Sequence, residues 1–376
     1  MRKVVIAIDS FKGSVTSREA GEAVRKGILT ELPDCEVAVL PVSDGGEGLL
    51  EVFEGNVERR AIAVQGPLGR EVLAHYCVLG DGKTALIEMA QAAGLPLLTD
   101  EERNPEETTT FGVGQLIAHA VQSGCRDFLI GIGGSATNDA GTGMLEALGF
   151  IFRNKSGDVF SPKGATLIAI AEVDATQVSP VLKSCRFNIA CDVTNPFSGP
   201  QGAATVFSPQ KGASAEMTLR LEAGMEHLHR LFREQYGIAL NEIPGSGAAG
   251  GLGGAFVLFL HASLRSGAEL LLDYLRFDTL IKDAQLLITG EGRMDAQTLM
   301  GKIPYRVMER ASRLGIPTIA LCGSVSDLTP LNQAGFTSLF SIHPDRIPLK
   351  EAMDKELTLS RLMLTAQQII RLLEIL

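Results

Sequence analysis

The segment Gly131–Gly143, GIGGSATNDAGTG, constrains the fold of this chain more than any other. It follows a short apolar run, Phe128-Leu129-Ile130, and precedes a helical pattern over Met144–Leu148. A strand that breaks into glycines and restarts as a helix leaves backbone N–H groups unpaired at a helix N-terminus. The orphan donors and the helix dipole both favour an anion there. Ser135, Thr137, Asn138 and Asp139 add hydroxyls, an amide and a carboxylate, which suits a phosphate accompanied by a metal ion. The plainer alternative is a tight turn whose Asn and Asp act only as caps; the remaining glycine-rich stretches decide between the two.

The pattern recurs at both ends of the chain. Lys3–Ile8 reads as a buried first strand and runs into Asp9-Ser10-Phe11-Lys12-Gly13-Ser14. A helix over Ser17–Thr30 follows, with Ser17 as its N-cap and Ala20, Ala23, Val24, Gly27 and Ile28 at helical spacing. Glu36–Val42 reads as a strand ending in Ser43-Asp44-Gly45-Gly46-Glu47-Gly48. Near the C-terminus, Leu286–Thr289 leads into the turn Gly290-Glu291-Gly292-Arg293-Met294-Asp295, and Gly301-Lys302-Ile303-Pro304 opens a helix. Strands over Pro317–Leu321 and Thr337–Ile342 and a helical stretch over Lys350–Leu376 complete the alternation. These five strands build one doubly wound parallel sheet, in which residues just past the strand carboxyl ends face the ligand crevice.

Between them the character changes. Glu58–Gly66, Glu71–Leu79 and Lys83–Met89 read as strands joined by turns at Pro67-Leu68-Gly69 and Gly80-Asp81-Gly82. Phe150–Val159 reads as a further hairpin piece, Phe187–Cys191 as a strand ending at Asp192, and Met217–Tyr236 as a long amphipathic helix. With 376 residues, the chain is too long for one ordinary core. The expected class is α/β in two domains. Residues 1–57 and 262–376 form a flavodoxin- or Rossmann-like doubly wound sheet, and residues 58–261 form an inserted α/β domain with a mixed sheet. Two more polar glycine stretches fall in this middle part. Gly199–Gly212 carries Gln201, Gln210 and Lys211, and Pro244–Gly254 (PGSGAAGGLGG) includes Gly250 and Gly251. The second suits close backbone approach to a phosphate, or a hinge.

The net charge of −10 argues against nucleic-acid and membrane-surface partners, which need a basic face, and requires local donors for any anionic substrate. The six cysteines are scattered without a C-x-x-C pair, which suits free thiols in a reducing cytoplasm. No apolar run reaches bilayer length, and the N-terminal run is too short for a signal core. A dinucleotide fingerprint, a P-loop and a nucleophile elbow are all missing. What remains is a set of strand-end loops carrying Asp, Glu, Lys, Ser and Asn among glycines. That set suits phosphoryl transfer, which asks for positioning, hard oxygen ligands and backbone donors.

Six stretches, in order and spacing, resemble the glycerate kinase type 1 family. They are Asp9-Ser10-Phe11-Lys12, Ser43-Asp44-Gly45-Gly46-Glu47-Gly48, Gly133-Gly134-Ser135-Ala136-Thr137-Asn138-Asp139, Cys191-Asp192-Val193-Thr194-Asn195-Pro196, Pro209-Gln210-Lys211-Gly212-Ala213 and Thr289-Gly290-Glu291-Gly292-Arg293. Tyr305-Arg306 departs from the small or apolar residues commoner after Gly301-Lys302-Ile303-Pro304. The resemblance implies an ATP- and Mg²⁺-dependent kinase of D-glycerate, with 2-phosphoglycerate the typical bacterial product and 3-phosphoglycerate the alternative. It implies a site in the cleft between two domains of a cytoplasmic monomer or homodimer. Asp192 is the leading candidate for general base, with Asp44 and Asp295 as rivals, and Lys12 and Lys211 are candidates for phosphate or carboxylate. Asp9, Asp139 and Glu291 are candidates for Mg²⁺. Ser10, Gly45, Gly46, Gly133, Gly134, Ser135, Asn138, Asn195, Gly250, Gly251, Arg293 and Lys302 are candidates for substrate or phosphate contact. Two other classes stand beside this reading. One is a clamp that binds a small anion without catalysis; the other is a small-molecule dehydrogenase or lyase of the same layout.

Overall fold

The computed structural model describes residues 1–43, 52, 57–326, 328–343 and 347–375. Asp44, Gly45 and Gly46 lie outside the described residues. The chain opens with β1 (Lys3–Ile8), a helix over Ser17–Glu31 and β2 (Glu36–Val39). It continues through β3 (Val57–Gln65), β4 (Glu71–Leu79), β5 (Thr84–Glu88), β6 (Asp127–Gly131), β7 (Ile151–Arg153), β8 (Glu172–Asp174), β9 (Arg186–Ala190) and β10 (Ser263–Arg265). It closes with β11 (Leu286–Met294), β12 (Thr318–Val325) and β13 (Ser338–Ser341), interleaved with helices over Gly267–Tyr274, Ile303–Arg313 and Lys355–Leu373. The chain divides into two compact units, Met1–Asp44 with Ala268–Leu376, and Gly45–Gly267.

The first unit holds a parallel sheet of five strands in the order β13-β12-β11-β1-β2. In chain order this is 2-1-3-4-5, the flavodoxin order, whose direction reverses between β1 and β11. The sequence of β1, KVVIAI, has no polar alternation because helices cover both faces of a parallel sheet. On one face Val4, Ile6 and Ile8 pack with Ala20, Val24, Leu362 and Ala366; on the other Met294, Met308, Ala320 and Leu331 form a second cluster. Each fully buried Val, Ile or Leu contributes about 1.5–3 kcal/mol. Gly27 lets the helix over Ser17–Glu31 cross that over Lys355–Leu373, since a Cβ there would sit 2.2 Å from the Met363 carbonyl oxygen.

Three local expectations change here. Thr16, not Ser17, caps the first helix: its hydroxyl accepts from Glu19 N at 3.2 Å, and Glu19 Oε2 accepts from Thr16 N at 3.1 Å, a full capping box. Ser17 instead stitches the sheet, donating to Ile8 O at 2.6 Å and accepting from Val42 N at 2.9 Å. The second strand stops at Val39 rather than Val42, where Pro41 brings no N–H to the ladder. The stretch Gly290-Glu291-Gly292-Arg293-Met294 is strand rather than turn, paired with β12 through Met294↔Val325. Glycines on both strands serve the pairing: a Cβ on Gly290 would clash with the Leu321 carbonyl oxygen, and one on Gly323 would lie 2.5 Å from the Gly292 carbonyl oxygen.

The second unit carries a mixed sheet of six strands in the order β10-β9-β6-β5-β4-β3. The pairs β3–β4 and β4–β5 are antiparallel and the rest parallel. The Asp81-Gly82 turn works as its residues suggest. Gly82 takes φ +66, and the Asp81 carboxylate accepts from Lys83 N, Thr84 N and Thr84 Oγ1. Phe128 and Phe187 stack at 4.8 Å between ring centroids in a core shared with Leu116, Met144, Leu228 and Phe256. The stretch expected as a hairpin, Phe150–Val159, does fold back on itself: Asn154 N donates to Asp158 O at 3.0 Å and Phe160 N to Phe152 O at 3.1 Å, flanking the antiparallel bridge Arg153↔Val159. Its strand β7 finds its main partner in β8, where Phe152 and Val173 bury together. Among the described residues no helix is long and apolar enough to cross a membrane, and all six cysteines are free thiols.

Candidate active site

In the first unit the strand order reverses between the parallel neighbours β1 and β11, and a pocket of about 460 Å³ opens at their carboxyl ends. Asp9, Ser10 and Lys12 reach it from the end of β1, Glu291 and Arg293 from β11, and Lys302 from the start of the helix over Ile303–Arg313. Strand alternation puts Glu291 and Arg293 on one face. The buried Asp9 accepts from Ser10 N at 2.7 Å, while its own N–H donates to Gly290 O at 2.9 Å. Glu291 accepts from Thr298 Oγ1 at 2.8 Å and from Lys302 Nζ at 3.2 Å. Burial pushes the Glu291 carboxyl up, and those two partners pull the other way. Three cations against two carboxylates give this pocket a local positive excess in a chain of net charge −10. That is the local supply of donors an anion requires.

Asp295 sits at the edge of this group. Its carboxylate caps the turn over Ala296–Met300, accepting from Gln297 N at 2.9 Å, and pairs with Arg293 at 3.2 Å. The cap and the ion pair occupy it more heavily than a free base would be.

The second unit gathers Ser135, Asn138, Asp139 and Lys211 around the loop Gly131–Gly143. Gly133 and Gly134 are exposed, whereas Ser135 through Asp139 are buried. Lys211 is no solvated loop lysine. Its ammonium is 1% exposed and donates to Ser135 Oγ at 2.8 Å and to Thr137 O at 2.7 Å. Asp139 Oδ2 accepts from Thr110 N at 2.7 Å, Thr110 Oγ1 at 2.8 Å and Gly143 N at 3.3 Å, and Oδ1 accepts from Gly141 N at 3.1 Å. Burial pushes this carboxyl up and the four donors oppose it. A carboxylate offers about four lone-pair sites, and these donors, three of them on Oδ2, commit Asp139 to clamping its own loop.

Thr137 Oγ1 and both amide atoms of Asn138 are buried without a hydrogen-bond partner. A buried orphan of this kind costs about 1–3 kcal/mol, so the two residues mark a place where a bound polar group would be stabilised. Gly250 and Gly251 lie beneath the loop rather than open to solvent. At φ +67, a Cβ on Gly250 would sit 2.1 Å from Thr137 O, and Gly250 O accepts from Ala140 N at 2.9 Å. The close approach these glycines permit is to the chain itself.

Asp192 lies just past β9, is exposed, and accepts from Gly267 N at 3.1 Å through Oδ1. Asn195 donates to Gln201 O at 2.9 Å and its carbonyl accepts from Gly247 N at 3.1 Å, so it is anchored in its loop. Sequence reasoning did not single out Ser324, His343, Leu349 and Met353, which line the first pocket, or Thr298 and Thr110, which hold Glu291 and Asp139. The position of Ser324 and His343 just beyond the two strands expected over Pro317–Leu321 and Thr337–Ile342 was the available signal.

Burial pulls the Lys211 ammonium down from the usual 10.5 to about 7, against the attraction of Asp139. Between those two values the unfolded chain binds more protons than the folded one, so stability rises with pH from about 7 to 10.5. The slope reaches up to about 1.4 kcal/mol per pH unit. Urea midpoints measured at intervals across this window are expected to climb for the native protein. Replacing Lys211 by Met is expected to flatten the climb, and an equally steep rise in that variant would assign it to another group.

The sequence model of the glycerate kinase family matches residues 4–374. A glycerate kinase of Bacillus subtilis (strain 168) is 42% identical over 355 residues, covering 94% of this chain and 93% of the relative. The glycerate 2-kinase of Escherichia coli (strain K12) is 41% identical over 343 residues, covering 90% of each. Among solved structures, a chain from Salmonella typhimurium LT2 carrying the glycerate kinase 2 label superposes with a TM-score of 0.90 at 38% identity, covering 100% of this chain and 98% of that one.

Proposed function

This chain belongs to the glycerate kinase family, and on that premise we propose that it transfers the terminal phosphoryl group of ATP to the 2-hydroxyl of D-glycerate. The products are 2-phosphoglycerate and ADP. The enzyme is a phosphotransferase with an alcohol group as acceptor. The observation that carries this reading is the match over residues 4–374, which includes every glycine-rich strand-end loop at once.

The exposed Asp192 carboxylate takes the proton as the glycerate hydroxyl oxygen bonds to the γ-phosphorus. The bond from that phosphorus to the bridging oxygen of ADP breaks with its electron pair staying on ADP. Asp44 is kept as the rival base. Lys12, Arg293 and Lys302, with the Ser10 hydroxyl, meet phosphate or carboxylate charge. Gly45, Gly46, Gly133, Gly134, Ser135 and Asn138 offer peptide and side-chain donors, and Asn195, Gly250, Gly251 and Lys211 hold the loops that carry them.

Among the described residues no group of three or more His, Cys, Asp or Glu is arranged to hold a metal. Asp9 and Glu291, two carboxylates in one pocket, fit Mg²⁺, which typically takes one or two protein carboxylates and otherwise water and phosphate oxygens. When bound, Mg²⁺ neutralises charge on the phosphates. We further read the second unit as an insertion into the first, and the cytoplasm, where ATP is made available, as the place of action.

Incubation with ATP, Mg²⁺ and D-glycerate, followed by proton-coupled phosphorus NMR, tests the reading. A phosphate on C2 couples to a single proton and appears as a doublet, and one on C3 appears as a triplet. A triplet would overturn the regiochemistry, and ADP formation that ignores glycerate would overturn the activity.

A further inference from the structure

We infer that the pocket of the parallel-sheet unit is the nucleotide site, with the triphosphate at its cationic side and the purine against the apolar wall formed by Leu349, Ala352 and Met353. The inference rests on the kinase reading and names which of its two substrates this pocket receives.

Size separates the substrates first. A cavity of about 460 Å³ is far larger than a three-carbon acid needs, and it falls within the range of about 300–1,000 Å³ typical of sites for larger organic ligands. The lining has two characters. Lys12, Arg293 and Lys302 supply positive charge, while Phe11, Leu349 and Met353 supply apolar surface. Glycerate has a carboxylate and hydroxyls but nothing to set against an apolar wall. A nucleotide has both a polyanion and a flat, weakly polar base. Leu349 and Met353 are also 75% and 38% exposed, unusual for large apolar side chains beside a charged pocket. A base laid on them removes that surface from water.

The wall is held in place. Gly13, at φ +78, lies against it, and a Cβ there would sit 2.6 Å from Met353 Cε. Ser14 Oγ and Thr358 Oγ1 are 2.9 Å apart, tying the turn after β1 to the helix over Lys355–Leu373. His343, also in the lining, bonds through Nδ1 to Arg361 Nη1 at 2.6 Å. A guanidinium only donates, so Nδ1 is the acceptor and the ring proton sits on Nε2. His343 is thus a positioning residue: it ties the pocket lining to the long helix behind it.

Calorimetry with a non-hydrolysable ATP analogue, and inhibition by adenosine and by tripolyphosphate, test the assignment on the full chain. Leu349→Glu, at an exposed position, is expected to weaken the analogue and adenosine roughly tenfold and to leave tripolyphosphate inhibition and the KM for glycerate unchanged. Lys12→Gln is expected to weaken the analogue and tripolyphosphate and to leave adenosine unchanged. His343→Ala is expected to raise the KM for ATP at constant kcat. His343→Gln is expected to restore much of the loss, since its amide oxygen can accept from Arg361. Unchanged analogue affinity in the Leu349 and Lys12 variants, with a raised KM for glycerate, would overturn the assignment and give the pocket to the acid. Wild-type protein that binds the analogue, loses it in those variants and yet forms no phosphoglycerate would overturn the kinase reading and leave the nucleotide site standing.

Discussion

Asp192→Asn is expected to lower kcat by roughly two to four orders of magnitude, the usual worth of a positioned general base, while affinity for the ATP analogue stays at the native level. The substitution is chosen for its shape. Asn keeps an oxygen where Asp192 Oδ1 accepts from Gly267 N at 3.1 Å, so the segment past β9 keeps its anchor. What disappears is the capacity to take a proton from the attacking hydroxyl. Positioning and electrostatic contributions survive, so a residual rate remains rather than none. Turnover near the native rate would remove Asp192 from the role and turn attention to Asp44. Asp295 is the poorer substitute, because it is already committed to a helical cap and to Arg293.

Asp139→Ala is expected to destabilise the strand-rich unit by roughly 3–5 kcal/mol, since each buried donor left without an acceptor costs about 1–3 kcal/mol. Thr110 N, Thr110 Oγ1, Gly141 N and Gly143 N all lose their acceptor inside the protein. The fully buried Lys211 loses the attraction of a nearby acid. For a unit of 150–250 residues each kcal/mol moves Tm by roughly 2–4 °C, so a fall on the order of 10 °C is expected by calorimetry. A melting point within a degree or two of native would mean that the loop finds other acceptors and that the clamp assigned to Asp139 is wrong. Loss of activity alone, with native stability, would instead restore a direct role in binding.

Periodicity and punctuation carried most of the secondary structure. The run KVVIAI, the Asp81-Gly82 turn and the helical spacing of Ala20, Val24 and Ile28 are local statements, and local physics enforces them. The same local signals misplaced what long-range pairing controls. Gly290-Glu291-Gly292-Arg293 reads as a turn by composition, yet β12 lies close enough to hold it as strand. The hairpin after β7 was legible, but the longer ladder to β8, where Phe152 buries against Val173, was not.

The sequence by itself determined the chemistry available: glycine-rich strand ends bearing acids, lysines and hydroxyls, in an order that matches one family. It could place Asp9, Glu291 and Lys302 at strand or helix ends, but not in one pocket, because only the 2-1-3-4-5 strand order sets the ends of β1 and β11 side by side. Likewise Asp139 and Lys211 read as ligand residues in the chain and proved to be fully enclosed. Burial is a property of what packs around a residue, and it makes a carboxylate a clamp by pointing the protein's own donors at it. That decision belongs to the tertiary structure alone.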